Sequence, residues 1–139
     1  MKEDFLHFLW KHQKFPLAKL ENTQGISIQI LNPGTPNAYA GPDFFDARIT
    51  YDALEWSGNV EVHVKSSDWF SHQHHLDKNY DLVILRVVWE DDIAVMTESG
   101  SILPTLELSK FVEKMDSSIS KTVFTKTKLD SMRVSNRPR

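Results

Sequence analysis

Two carboxylates and a histidine form the part of the sequence best suited to chemistry. Glu61 and His63 lie two positions apart in an alternating run, so both project from one face of a predicted strand. Asp43 precedes them by enough chain for one strand, a turn and a partner strand. We therefore expect Asp43 and Glu61 to meet on adjacent strands. Paired carboxylates there suit a hard cation such as Mg²⁺ or Mn²⁺.

Catalytic roles follow from this spacing. A bound ion would polarise a phosphoryl oxygen and lower the pKa of a bound water. His63 is placed to orient or deprotonate that water, and Lys65, one step further on the same face, supplies a second basic group. The sequence thus predicts Asp43 and Glu61 as metal ligands and His63 and Lys65 as catalytic residues.

Further histidines leave a second kind of site open. His72 and His74 follow the same strand, and with His63 and a carboxylate they match a zinc ligand set. Alternatively, they are exposed loop residues, or they contact a substrate phosphate next to the Asp43 and Glu61 face. Arg48 alternates with apolar residues on the preceding strand and is a further candidate for substrate contact.

The elements that must position these residues follow from hydrophobic periodicity and turn residues. We predict an amphipathic helix over residues 3–15 that ends before Pro16, and a loop rich in turn residues over 32–42. Strands are expected at 26–30, 44–51, 54–56, 60–65 and 82–89, with a short helix within 66–80 and a hairpin formed by 94–96 and 102–108.

Composition limits the class of protein. The chain has 139 residues and no cysteine, which fits one domain and excludes disulfides, thiolate zinc sites and a cysteine nucleophile. No secretory signal or membrane-spanning run is evident, so we expect a cytoplasmic protein without a membrane partner. Residues 1–110 are predicted to form one α/β domain, and residues 111–139 a basic, poorly ordered extension. The acidic character of the first 109 residues argues against nonspecific nucleic-acid binding.

The arrangement resembles the PD-(D/E)xK nuclease superfamily. The resemblance rests on Pro42-Asp43, on Glu61-Val62-His63 and on the element order across residues 3–90. It implies a restriction-endonuclease-like α-β-β-β-α-β core, here with an extra hairpin, in which the aspartate and the glutamate bind the metal ion. His63 stands where that superfamily has a lysine, which is the clearest departure from the pattern.

The chain also resembles the N-terminal part of a bacterial family, domain of unknown function 2851. The segments that carry this resemblance lie within residues 5–110 and include Gly41-Pro42-Asp43-Phe44, Gly58-Asn59-Val60-Glu61-Val62-His63 and Ser67-Asp68-Trp69. The resemblance implies no activity. It does imply that further C-terminal sequence normally follows.

The leading hypothesis from the sequence is a mixed-sheet α/β domain that hydrolyses nucleic-acid phosphodiesters with Mg²⁺ or Mn²⁺. The alternatives are a non-catalytic binding or scaffold module with a degenerate nuclease-like fold, and a histidine-based zinc site. The sequence leaves the choice of DNA or RNA and the oligomeric state open.

Overall fold

The computed structural model describes residues 3–96 and 100–112. In that part of the chain two helices and six strands are defined. Their bounds are α1 Glu3–His12, β1 Ile28–Asn32, β2 Thr35–Pro36, β3 Phe44–Tyr51, β4 Leu54–Lys65, α2 Asp68–Ser71, β5 Val83–Glu90 and β6 Thr105–Glu107. Two 3₁₀ turns, His74–Leu76 and Lys78–Tyr80, follow α2, and residues 108–112 are helical. None of the described helices is long and apolar enough to cross a membrane.

The strands form one mixed sheet in the order β1-β3-β4-β5-β6, with β2 paired to β3. The pairs β1–β3, β2–β3 and β3–β4 are antiparallel, whereas β4–β5 and β5–β6 are parallel. The predicted α/β class with a mixed sheet is therefore confirmed. β4 lies at the centre, where the antiparallel and parallel halves meet.

Helix α1 covers one face of this sheet. Its helical spacing buries Leu6, Leu9 and Trp10, which pack against Val60 and Val62 of β4. The Trp10 indole N–H also donates to the Pro33 carbonyl at 2.9 Å, which ties the helix to the following loop. This face is an apolar core of the kind that the sequence predicts.

Helix α1 ends earlier than predicted, at His12 instead of near Pro16. Gln13 adopts a left-handed conformation, and the Lys14 N–H reaches back to the Leu9 carbonyl at 2.9 Å. These features form a Schellman-type cap, which ends a helix without a proline.

The crossover from β4 to β5 covers the other face. It contains only the four-residue α2 and the two 3₁₀ turns. Trp69 of α2 packs with Val83, Val95 and Leu103 in a second, smaller core. A parallel connection needs a dozen or more residues, and this crossover supplies them with little regular helix.

Two other predictions are corrected. The segments 54–56 and 60–65 form one strand, because Gly58 allows close approach of β5; a Cβ there would lie 2.5 Å from the Ile84 side chain. The predicted hairpin at 94–108 is reduced to one bridge between Met96 and Ile102, and its second arm continues into β6, parallel to β5. Residues 97–99, and nearly all of the predicted extension 111–139, lie outside the described residues.

Candidate metal centre

Glu61 and His63 lie on the crossover-facing side of β4 and are almost completely buried. Their exposed fractions are 4% and 1%, respectively. The alternation of β4 predicts that they share a face, and the crossover then encloses that face. His74 enters from the first 3₁₀ turn and is also buried, whereas His72, at the end of α2, is exposed.

Three histidines converge at this point. The candidate ligand nitrogens of His63, His72 and His74 all lie within 4.8 Å of one another. The ring of His63 stacks on that of His74 with centroids 5.0 Å apart, and His72 meets His63 edge-on at 5.1 Å. Ligands of a tetrahedral zinc ion lie roughly 3.3 Å apart. The imidazoles would therefore have to move closer together, by up to about 1.5 Å, to hold one tetrahedral ion.

The polar atoms of this cluster are poorly satisfied. Both ring nitrogens of His63 are buried; among the described residues Nδ1 has no hydrogen-bond partner, and Nε2 lies 3.2 Å from Glu61 Oε2 without an aligned hydrogen bond. His74 Nε2 lies 2.9 Å from Glu61 Oε2, but its N–H is not directed along a hydrogen bond. A buried, unpaired polar group costs about 1–3 kcal/mol. Metal ligation would supply the missing partner, and three imidazoles are a donor set that zinc accepts.

Glu61 lies beside two of the three imidazoles. Its Oε2 is 3.2 Å from His63 Nε2 and 2.9 Å from His74 Nε2. Burial by itself raises the pKa of Glu61, but the contacts with His63 and His74 outweigh burial and lower the pKa from 4.5 to about 2. Glu61 is therefore ionised, and it can accept hydrogen bonds or join the ligands.

Asp43 joins this cluster from the start of β3. Its backbone N–H donates to Glu61 Oε1 at 3.1 Å, and its own Oδ2 accepts the Val62 N–H at 2.8 Å. Burial and, next, the charge of Glu61 raise the pKa of Asp43 from 3.8 to about 8. No lysine or arginine of the described residues pairs with either carboxylate. The predicted meeting of Asp43 and Glu61 on adjacent strands is thus present.

Aromatic side chains enclose the histidines. Tyr80 stacks on His74 with ring centroids 3.8 Å apart, and Trp69 meets His74 edge-on at 5.3 Å. Burial and, next, the charges of Glu61 and Asp43 raise the pKa of Tyr80 to about 12. Its phenol is therefore neutral and can donate a hydrogen bond.

The other two predicted site residues have different partners. Lys65 is exposed at the end of β4, where its backbone N–H donates to Asp68 Oδ2 at 3.1 Å. Arg48 forms an exposed ion pair with Glu55, with Nε and Oε2 2.9 Å apart. Neither residue is among those gathered around Glu61.

Sequence reasoning missed two residues near this centre. His7 of α1 places Nε2 3.6 Å from Asp43 Oδ1, a contact that no local pattern indicates. Arg86 lies opposite Glu61 in β5 and is fully buried, donating to Thr105 Oγ1 at 2.7 Å. Burial lowers the pKa of Arg86 to about 10. The sequence does hold a signal for Arg86, because it is a charged residue inside the apolar run of β5.

A model of the family described as "Protein of unknown function (DUF2851)" matches residues 3–132. The chain belongs to this family. No curated protein and no solved structure gives a significant match. The DUF2851 match includes every residue of the centre, from His7 on α1 to Arg86 on β5. The description of the family names no activity.

Proposed function

We propose that this chain is a metal-dependent hydrolase in which His63, His72 and His74 hold a divalent ion of the zinc class. The observation that carries the proposal is the buried His63 imidazole, which lies beside two further imidazoles; among the described residues its Nδ1 has no partner and its Nε2 has only the contact with Glu61. Mg²⁺ prefers oxygen ligands, whereas imidazole suits zinc and other transition metals. A set of three protein ligands also leaves a position open, which distinguishes catalytic zinc sites from structural ones.

A bound divalent ion would lower the pKa of a water molecule in the open position, and the proton of that water would pass to solvent. The ionised Glu61, next to two of the ligands, would accept a hydrogen bond from that water and orient it. Asp43 holds Glu61 in place through the backbone N–H that it donates to Oε1. Tyr80, whose ring stacks on His74 and whose phenol is neutral, would donate a hydrogen bond to the oxygen that becomes charged.

We further propose phosphodiesters, and hence nucleic acid, as the substrate class. The nuclease resemblance supports this choice, since Asp43, immediately before β3, contacts Glu61 of the adjacent strand β4. The order of elements matches α-β-β-β-α-β when the two-residue strand β2 is left out. Lys65 and Arg48 keep their predicted roles as a catalytic residue and a substrate contact only if they turn toward a bound substrate.

A second candidate is an Mg²⁺ or Mn²⁺ site held by Asp43 and Glu61. The proximity of the buried Glu61 carboxylate and the partly exposed Asp43 carboxyl group, without a lysine or arginine partner among the described residues, favours it. The ion that binds distinguishes the two candidates, because the first requires the imidazoles and the second requires Asp43.

The test is calorimetric titration of the purified chain with Zn²⁺, Mn²⁺ and Mg²⁺, beside His63→Ala, His72→Ala and Asp43→Asn. We expect saturable Zn²⁺ binding that both alanine variants lose and Asp43→Asn retains. His75→Ala is the matched control, since His75 is an exposed neighbour of His74 and does not belong to the histidine triad, His63, His72 and His74. Binding of Mg²⁺ or Mn²⁺ that only Asp43→Asn abolishes would favour the second candidate. A parent chain that binds no ion would favour the scaffold alternative.

Catalysis is then tested on the zinc-loaded chain with bis(p-nitrophenyl) phosphate and with single-stranded oligonucleotides. We expect turnover by the parent chain. Glu61→Gln should bind zinc and show at least about a hundredfold slower turnover, because the charged acceptor that orients the attacking water is lost. Zinc binding without turnover of either substrate would contradict the proposed substrate class.

A further inference from the structure

The backbone between two of the proposed ligands adopts a left-handed conformation. Gln73, between His72 and His74, has φ of 60° and ψ of 28°. His72 ends α2 with φ of −92° and ψ of 4°, and a new 3₁₀ turn begins at His74. Positive φ is uncommon outside glycine, and residues held there cluster at functional sites.

This conformation has a consequence for the two imidazoles. In a continuing right-handed helix, residues two apart project from nearly opposite sides. The left-handed residue interrupts α2 and redirects the chain, so that the rings of His72 and His74 lie 5.5 Å apart and both face His63. The side chain of Gln73 itself is exposed and forms no hydrogen bond with the described residues.

We propose that Gln73 is a positioning residue whose left-handed backbone sets His72 and His74 around one ion. This inference rests on the proposed metal site and adds the element that shapes it. The backbone conformation, and not the amide side chain, carries the role. Residues that tolerate the left-handed region should therefore preserve metal binding, and β-branched residues should impair it.

The experiment compares Zn²⁺ affinity by calorimetry and the melting temperature of the metal-free chain for Gln73→Asn, Gln73→Gly and Gln73→Val. We expect the Asn and Gly variants to bind within about threefold of the parent, and Gln73→Val to bind at least about tenfold more weakly, as for loss of a group that orients a ligand. Gln73→Thr is a milder second variant for which we expect a loss in the same direction.

A matched control separates positioning from general backbone strain. Lys19 is exposed, lies away from the histidines and has an equivalent φ of 61°. Lys19→Val should lower the melting temperature as much as Gln73→Val and leave Zn²⁺ affinity unchanged. Equal affinity of Gln73→Val and the parent overturns the inference, and so does an equal loss in Gln73→Gly and Gln73→Val. If the parent itself binds no zinc, the metal site fails and the inference fails with it.

Discussion

The two faces of β4 are equally buried, but they differ in whether their polar groups have hydrogen-bond partners. On one face Val60 and Val62 pack against apolar side chains of α1, and the Trp10 indole N–H is paired with the Pro33 carbonyl. On the other face Glu61 and His63 lie under an irregular crossover, and Nδ1 of His63 has no hydrogen-bond partner among the described residues. Burial stabilises the first face, whereas the second gains a comparable stability only when something completes its polar contacts.

The difference also appears in the elements that cover each face. A ten-residue amphipathic helix covers the apolar side, and short turns cover the polar side. Regular helix suits continuous apolar contact, while turns can present side chains from several directions toward one point. The irregular crossover is thus the element that allows His72 and His74 to meet His63.

The largest expected effect comes from His63→Leu. Without its imidazole the triad is incomplete, so we expect Zn²⁺ affinity to fall at least a hundredfold. The free energy of unfolding of the metal-free chain should change by less than about 1 kcal/mol, because removal of the unpaired Nδ1 is offset by loss of the contact between Nε2 and Glu61 Oε2. Calorimetry and urea denaturation measure the two effects. A metal-free variant destabilised by more than about 3 kcal/mol would mean that the polar contacts of His63 are complete without a metal ion, which would contradict the contrast between the two faces.

The matching change on the apolar face is Leu6→Ala. Leu6 is fully buried beneath the sheet, so the cavity should lower the free energy of unfolding by about 2–5 kcal/mol. The folded variant should keep the Zn²⁺ affinity of the parent, measured below the start of its unfolding transition. A large loss of affinity would show that the two faces are coupled.

A smaller effect concerns the pH dependence of the metal-free chain. Because the pKa of Asp43 is raised to about 8, proton binding stabilises the fold at low pH, and that stability is lost as the pH rises from about 4 to 8. Asp43→Asn keeps an acceptor for the Val62 N–H but does not titrate. Its stability relative to the parent should therefore increase across this range, as followed by urea denaturation. A constant difference would show that Asp43 is ionised throughout.

The smallest effect is expected for Arg48→Ala. The ion pair of Arg48 with Glu55 is solvent-exposed, so its loss should change stability by less than about 0.5 kcal/mol. Zn²⁺ affinity should not change. A weaker interaction with an oligonucleotide, at unchanged stability, would confirm the predicted role of Arg48 in substrate contact.

Much of the fold follows from local periodicity. The alternation in β4 predicts that Glu61 and His63 share a face, and the continuous apolar run of β5 predicts a strand buried on both sides. These predictions succeed because strand geometry alone determines which residues share a face. The meeting of Asp43 with Glu61 also follows, because antiparallel neighbours in the chain commonly pair.

Other features depend on single backbone conformations or distant contacts. The end of α1 depends on the left-handed conformation of Gln13, and the approach of His72 to His74 depends on that of Gln73. Glutamine seldom adopts this conformation. The parallel pairing of β6 with β5 and the contact of His7 with Asp43 join residues far apart in sequence. Local pattern carries no information about such contacts, so the histidine triad could be suspected from the sequence but not distinguished from exposed loop histidines.

X-ray absorption at the zinc edge, on the zinc-loaded chain after gel filtration, tests the central claim most directly. We predict a shell of nitrogen ligands at about 2.0–2.1 Å with the outer-shell scattering of three imidazoles, reduced in His63→Leu. A shell of oxygen ligands alone, or a chain that retains no zinc, would contradict the proposal that the polar face of β4 is completed by a metal ion.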